Sequence, residues 1–315
     1  MKNIIIDRCS LIGTSAIERY EDGTIKQCIL TKKNKLETIY GTLIPQYESS
    51  EERRKYVKSL SFYNNGSLKS IYLQKQTDIK TPLGNIPAEL ITFYENGGIK
   101  RIFPLNGKLS AYWSEEDEEK KAKKLQINLP IYKFNIKLIS IYFSENGNVK
   151  SITFWPSEIL KINSLIGVIE CRIGLSFYED GNIRSFEPNK PTLIETPIGK
   201  INAFNTNAFG IHGETNSVKL SKEGKVASLI TSTDVIKVTN KNGECYLYRP
   251  KLKTSVISDD AFDVVTLTVE FKNNTIIINN ESFFNIDENT FEINNLPLNL
   301  KSPCSDCSNC TGCCH

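Results

Sequence analysis

The densest reactive chemistry in the chain lies at its C-terminal end, where Cys304, Cys307, Cys310, Cys313 and Cys314 are followed directly by His315. Thiols recurring at nearly every third residue, with small or polar residues between them, can wrap around one soft metal ion. Zinc or copper(I) takes three or four thiolates in a tetrahedral or trigonal set, and His315 can add a nitrogen. Five of the nine cysteines crowd into this tail, and such crowding points to metal binding.

Cys304, Cys307, Cys310 and Cys314 also give the C-x2-C-x2-C-x3-C spacing that holds iron–sulfur clusters in bacterial ferredoxins, with His315 standing where their proline would be. The tail's cofactor is thus open between zinc, copper(I) and an iron–sulfur cluster. No aliphatic or aromatic side chain follows Pro303, so apolar burial cannot order this segment. The expectation is a flexible tail ordered by its metal. Cys9, Cys28, Cys171 and Cys245 are scattered. Cys28 occupies a position filled in other copies by Ile71, Ile102, Ile152 and Leu229, which marks it as a small core residue. His212, between Gly210 and Gly213, reads as a loop histidine, and no nucleophile partner accompanies it. No phosphate loop, dinucleotide fingerprint or HExxH motif is present, so a non-catalytic protein is expected.

The elements that would carry such a tail repeat along the chain. Gly23, Gly66, Gly97, Gly147, Gly181 and, more weakly, Gly224 each follow an acid or amide: Asp22, Asn65, Asn96, Asn146, Asp180 and Glu223. Asn, Asp and Gly tolerate positive φ, which is hairpin-turn chemistry. Four residues before the glycines stand Phe62, Phe93, Phe143, Phe177 and Leu220, with Arg19 the exception; two further back stand Ile17, Leu60, Ile91, Ile141, Leu175 and Val218. This period of two is the mark of a strand. After each glycine an aliphatic residue (Ile25, Leu68, Ile99, Val149, Ile183, Val226) precedes, in most copies, a base. A loop with a glycine bulge would set the Phe opposite that aliphatic residue, and this is the turn expected.

A second half-unit follows most turns, as in Thr81-Pro82-Leu83-Gly84 and Thr196-Pro197-Ile198-Gly199, and it predicts a second hairpin per repeat. Two charged inserts, Glu48 to Lys58 and Ser114 to Leu125, read as solvated helices or loops. In the second, Ser114 is a candidate N-cap, with Glu116/Lys120 and Glu119/Lys123 at i,i+4 spacing. From about Asn205 the repeat decays, and Asn273-Asn274 reads as a further turn.

Phe93 to Lys100, Phe-Tyr-Glu-Asn-Gly-Gly-Ile-Lys, with its counterparts Phe62 to Lys69 and Phe177 to Arg184, resembles the MORN-variant repeat of bacterial proteins described as antitoxin components. The likeness spans about eight residues per copy. It implies hairpin repeats, and no catalytic residues come with it.

Together these features predict an all-β fold: an elongated antiparallel meander of hairpin repeats over 1–204, a C-terminal β region or cap over 205–295, a linker over 296–303 and the Cys-rich tail over 304–315. A formal charge of +3, from 39 basic and 36 acidic residues, supplies no field to gather nucleic acid or an anionic membrane. The N-terminus has no apolar run long enough for a signal peptide, and no stretch approaches the length of a spanning helix, so a cytoplasmic location is expected. The predicted function is a binding or scaffold protein that meets a protein partner on its repeat surface. The alternative is a redox or metal-transfer protein whose working end is the tail.

Overall fold

The computed structural model describes residues 10–49, 53–54, 57–208, 213–214, 216–254 and 262–295. Antiparallel strands dominate, and the α-helix among the described residues is the short Glu115–Lys121. The chain divides into two compact units: Met1–Lys190 with Ala208–Ala227, and Pro191–Asn207 with Ser228–His315.

In the first unit every repeat glycine sits in the expected turn. Gly66 donates its amide to the Tyr63 carbonyl at 3.0 Å, and Tyr63 donates to Ser67 at 2.9 Å; the same pair of bonds recurs at Gly23, Gly97, Gly147, Gly181 and Gly224. These six glycines take φ between +79° and +88°, where a side chain would be strained. The ladders shift register at the turn and pair Phe62 with Leu68, Phe93 with Ile99, Phe143 with Val149 and Phe177 with Ile183. That is the glycine-bulge loop, and it places each Phe beside the aliphatic residue.

Period-two alternation and this constant register together build one continuous apolar row across the sheet. Cys28 pairs with Leu60, Leu60 with Ile71, Ile71 with Ile91 and Ile91 with Ile102. The row continues through Ile141, Ile152, Leu175, Phe186 and Val218, each paired to the next. All of these residues are 0% exposed. Burying one such aliphatic side chain stabilises by about 1.5–3 kcal/mol, so the row is the main source of cohesion between repeats. Copy one departs from the pattern: Ile17 is 37% exposed, because its strand is bulged between Ser15 and Glu18 and loses the alternation there.

One residue along, the opposite face carries a polar row that includes Ser61, Ser70, Ser151, Ser176 and Ser185. Hydroxyl pairs link Ser61 to Ser70 at 2.5 Å and Ser176 to Ser185 at 2.6 Å. The small side chains leave room for a crossing segment. Gly213 donates its amide to Thr153, Asn216 donates to Ser185, and Glu214 ion-pairs with Arg101. A Cβ on Gly174 would meet the Gly213 Cα at 2.6 Å, so glycine is required at that crossing.

The second half-units are hairpins, and in the second repeat they continue the same strands. Leu68–Thr81 and Gly84–Phe93 run through both halves, with an irregularity between Tyr72 and Thr77. Each second hairpin buries a facing pair: Leu36 with Leu43, Ile79 with Ile86, Ile127 with Phe134, and Ile162 with Ile169. Their tips return to the turns two repeats ahead. Tyr40 stacks on Phe93 at 5.9 Å and donates to the Gly97 carbonyl, while Pro82 lies against Gly147, Ile131 against Gly181 and Leu165 against Gly224. Tyrosines also bind each repeat to the next, with the Tyr20, Tyr63, Tyr94 and Tyr178 hydroxyls donating to the carbonyls of Phe62, Phe93, Phe143 and Leu220.

In the second unit, Thr192–Thr196 pairs with Gly199–Ala203, and Asp234–Thr239 lies between Cys245–Tyr248 and Thr290–Asn295. Leu267–Lys272 and Thr275–Ile278 form the hairpin expected at Asn273-Asn274, and Asn273 takes φ +56°. Gly243 makes a seventh turn with the bonding of the other six, a copy that sequence reasoning overlooked.

The row carries a direct prediction for stability. Ile102→Ala or Ile141→Ala should lower unfolding free energy in urea by about 2–5 kcal/mol. Ile17→Ala, on the exposed and bulged strand, should change it by no more than about 0.5 kcal/mol. Equal losses at both kinds of position would contradict the row.

Candidate functional site

Cys304, Cys307, Cys310, Cys313, Cys314, His315 and His212 lie outside the described residues, as does Cys9. Among the described residues no group of three or more His, Cys, Asp and Glu side chains could hold a metal ion. Cys28 is buried, as its place in the row requires, and burial pushes its thiol up to about 11. Cys171 is also buried and its thiol is pushed further up, again by burial first, with Glu187 and Glu170 adding to it. Both are held as neutral thiols, which are poor nucleophiles and poor ligands. Cys245 is exposed. No helix among the described residues is long and apolar enough to cross a membrane.

The strongest cluster of charge joins the two inserts. Arg53 forks between Glu89 at 2.7 Å and Glu118 at 2.6 Å, and Glu118 also accepts from the Trp113 indole and the Gly107 amide. The sequence reading of both inserts as solvated segments holds for most of Ser114 to Leu125, where Glu115, Glu116, Lys120, Lys121, Lys123 and Lys124 are exposed, and fails at Arg53, Arg54 and Glu118. Arg54 and Glu118 are buried, and the side chain of Arg53 is 13% exposed, because each finds its partners on the other insert or on the sheet. The helix itself is as read: Ser114 caps it, Asp117 completes a capping box, and Lys120 pairs with Glu116 at 3.1 Å. Glu119 instead accepts from the Ser157 hydroxyl. Every donor of the Arg53 fork faces a fixed carboxylate, and this is the geometry of an anchor.

The arrangement able to receive a ligand lies where turns meet hairpin tips. One cleft of about 350 Å³ opens between the fourth and fifth turns, walled by Val149, Phe177, Tyr178, Pro130 and Leu83, with Glu179 at its rim. A second, of about 260 Å³, occupies the equivalent place between the third and fourth turns, walled by Ile99, Phe143, Tyr40 and Ile39, with Glu145 at its rim. The correspondence is residue by residue: Ile99 and Val149 each stand two after a turn glycine, and Phe143 and Phe177 each stand four before one. Pro82 and Gly147 line both clefts and form the partition between them. Glu145 and Glu179 are exposed, and neither cleft has a basic residue among its described lining. The bases of the return strands point to the other face, where Lys69, Lys100 and Arg184 lie over the rings of Tyr63, Tyr94 and Tyr178.

Sequence reasoning missed these clefts, although a signal for them exists. The central residues of the second turns are apolar pairs (Ile39-Tyr40, Pro82-Leu83, Pro130-Ile131, Leu165-Ile166), where exposed turns ordinarily carry polar residues. Ile39, Ile131 and Leu165 remain more than half exposed in the fold.

The anchor predicts a pH dependence. Burial alone would raise the Glu118 carboxyl, but hydrogen bonds from Arg53, Gly107 and Trp113 outweigh it and hold the group below its ordinary value of 4.5. A carboxyl lowered by folding contributes stability above its unfolded pKa and loses that contribution as pH falls through its folded pKa. Glu118→Gln should therefore cost about 3 kcal/mol near neutrality, and the gap to wild type should close on acidification below the ordinary carboxylate range. Urea titrations across pH check this, and a gap independent of pH would contradict it.

No family model, curated protein or solved structure matches the chain.

Proposed function

We propose that the chain is a non-catalytic binding protein that holds a protein partner on its repeat surface and carries a thiolate metal site on its C-terminal tail. The observation that carries the binding reading is the pair of adjoining clefts at equivalent positions of successive repeats, apolar within and acidic at the rim. Repeat arrays commonly use such periodic surfaces for extended partners. The resemblance to the MORN-variant repeat, which brings no catalytic residues, is consistent with this role. A cytoplasmic site of action belongs to the same proposal, because a reducing compartment keeps the tail thiols free for metal.

Selection of a random displayed peptide library on the full-length protein tests the binding role. Peptides should enrich, and their binding should fall with Glu145→Lys combined with Glu179→Lys. Failure of any peptide to enrich would overturn the reading.

The tail's role rests on its cysteine spacing. Protein purified without oxygen should contain stoichiometric zinc or copper(I), and Cys307→Ser with Cys310→Ser should abolish it while leaving the unfolding of the β-repeat body unchanged. A brown protein containing iron and sulfide would favour the redox alternative, which the C-x2-C-x2-C-x3-C spacing supports. Colourless protein free of metal would overturn both.

A further inference from the structure

From the geometry of the two clefts we infer that the partner segment they accept is a basic, proline-rich stretch in polyproline II conformation, which sets side chains three residues apart into successive clefts. This inference rests on the binding role proposed above and specifies its ligand.

Spacing is the first argument. The third, fourth and fifth turns close the hairpins Gly84–Phe93/Ile99–Phe103, Lys133–Phe143/Val149–Phe154 and Gly167–Phe177/Ile183–Pro188, which pair edge to edge in that order. Neighbouring strands lie about 4.8 Å apart, so equivalent points on successive turns recur about every 10 Å. A polyproline II helix has three residues per turn and a rise of about 3.1 Å, which puts residues i and i+3 on one side about 9.3 Å apart. A β-strand presents same-side residues at about 6.8 Å and then at about 13.6 Å, and neither value fits. An α-helix reaches about 10.5 Å at i+7, but its body is about 10–12 Å across. Pro82 and Gly147 line both clefts, so a ligand backbone between its two inserted side chains crosses the ridge these residues form.

Chemistry is the second argument. The walls combine Phe143, Phe177 and Tyr40 with Pro82 and Pro130, and aromatic-lined grooves favour a preformed, low-entropy proline-rich chain. Glu145 and Glu179 recur at the same repeat position, one at each cleft mouth, with no base in the lining. The complement is a ligand with Lys or Arg flanking the inserted residues.

Fluorescence anisotropy with full-length protein and labelled synthetic peptides tests the inference. A peptide with Pro-x-x-Pro flanked by arginines should bind, and moving the prolines to i,i+2 spacing should weaken it roughly tenfold or more. Asn148→Trp, which fills one cleft from an exposed position, should weaken binding by about tenfold or more. Glu145→Lys with Glu179→Lys should weaken it about as much and reverse the sign of its salt dependence. Unchanged melting temperatures would show that both variants are folded. Equal binding of the two spacings, or tighter binding of a helical peptide with the same apolar residues at i and i+7, would overturn the inference. If library selection instead yields peptides without this spacing that Asn148→Trp excludes, the ligand class is wrong and the binding role stands. If nothing binds, both fail.

Discussion

The row that runs from Cys28 through Leu60, Ile71, Ile91, Ile102, Ile141, Ile152 and Leu175 to Phe186 and Val218 is the constraint on which the first unit depends. A one-residue slip in any hairpin would turn that strand's row residue to the polar face and bring a serine or another polar side chain into the core. The glycine-bulge turns prevent such a slip, because each one fixes its Phe opposite the aliphatic residue two after the glycine. Register is thus set at the turn and rewarded along the row. Cys28 can replace an isoleucine there because it is small and, once buried, stays a neutral thiol.

The rest of the unit follows from that register. With the turns held in line at a constant interval, each second hairpin can reach over the apolar face to the turn two repeats ahead, while each tyrosine hydroxyl reaches the next repeat at 2.7–2.8 Å. The bond is absent at one step: Ser144 stands where the tyrosine would be, and its hydroxyl accepts from the Asn148 amide within its own turn. The apolar tips and the turns meet without filling the space between them, and what remains is the pair of clefts. The candidate binding surface is therefore a by-product of repeat geometry, sharpened by acids at its mouth. The Arg53 fork does separate work, holding two inserts against the sheet so that neither floats free.

Much of this architecture was legible in the sequence because its signals are local. The Asn-Gly turns, the Phe and Ile alternation, the bulged register, the Ser114 cap and the Asn273-Asn274 hairpin each depend on a few neighbouring residues. What was not legible depends on partners far along the chain. Arg53 and Glu118 looked like solvated charges until the fold brought them together across 65 residues. The overlay of hairpin tips on turns two repeats away has no local signature beyond apolar residues in turn positions. Ile17 alternates correctly in sequence yet is partly exposed, because the bulge between Ser15 and Glu18 breaks its strand there. The cysteines of the tail lie outside the described residues, and the metal role proposed for them rests on composition and spacing alone.

One uninterrupted row, cross-linked by tyrosines and by the overlay of second hairpins, makes the repeats of the first unit a single cooperative body. Arrays coupled only through adjacent repeats open from their ends in steps, whereas contacts reaching two repeats ahead suppress such steps. Native-state hydrogen exchange measures this most directly, through the opening free energies of the amides of Ile71, Ile91, Ile102, Ile141, Ile152 and Leu175. A single cooperative body should give one shared value, equal to the global unfolding free energy. A staircase of values falling repeat by repeat from Ile102 toward either end would contradict it.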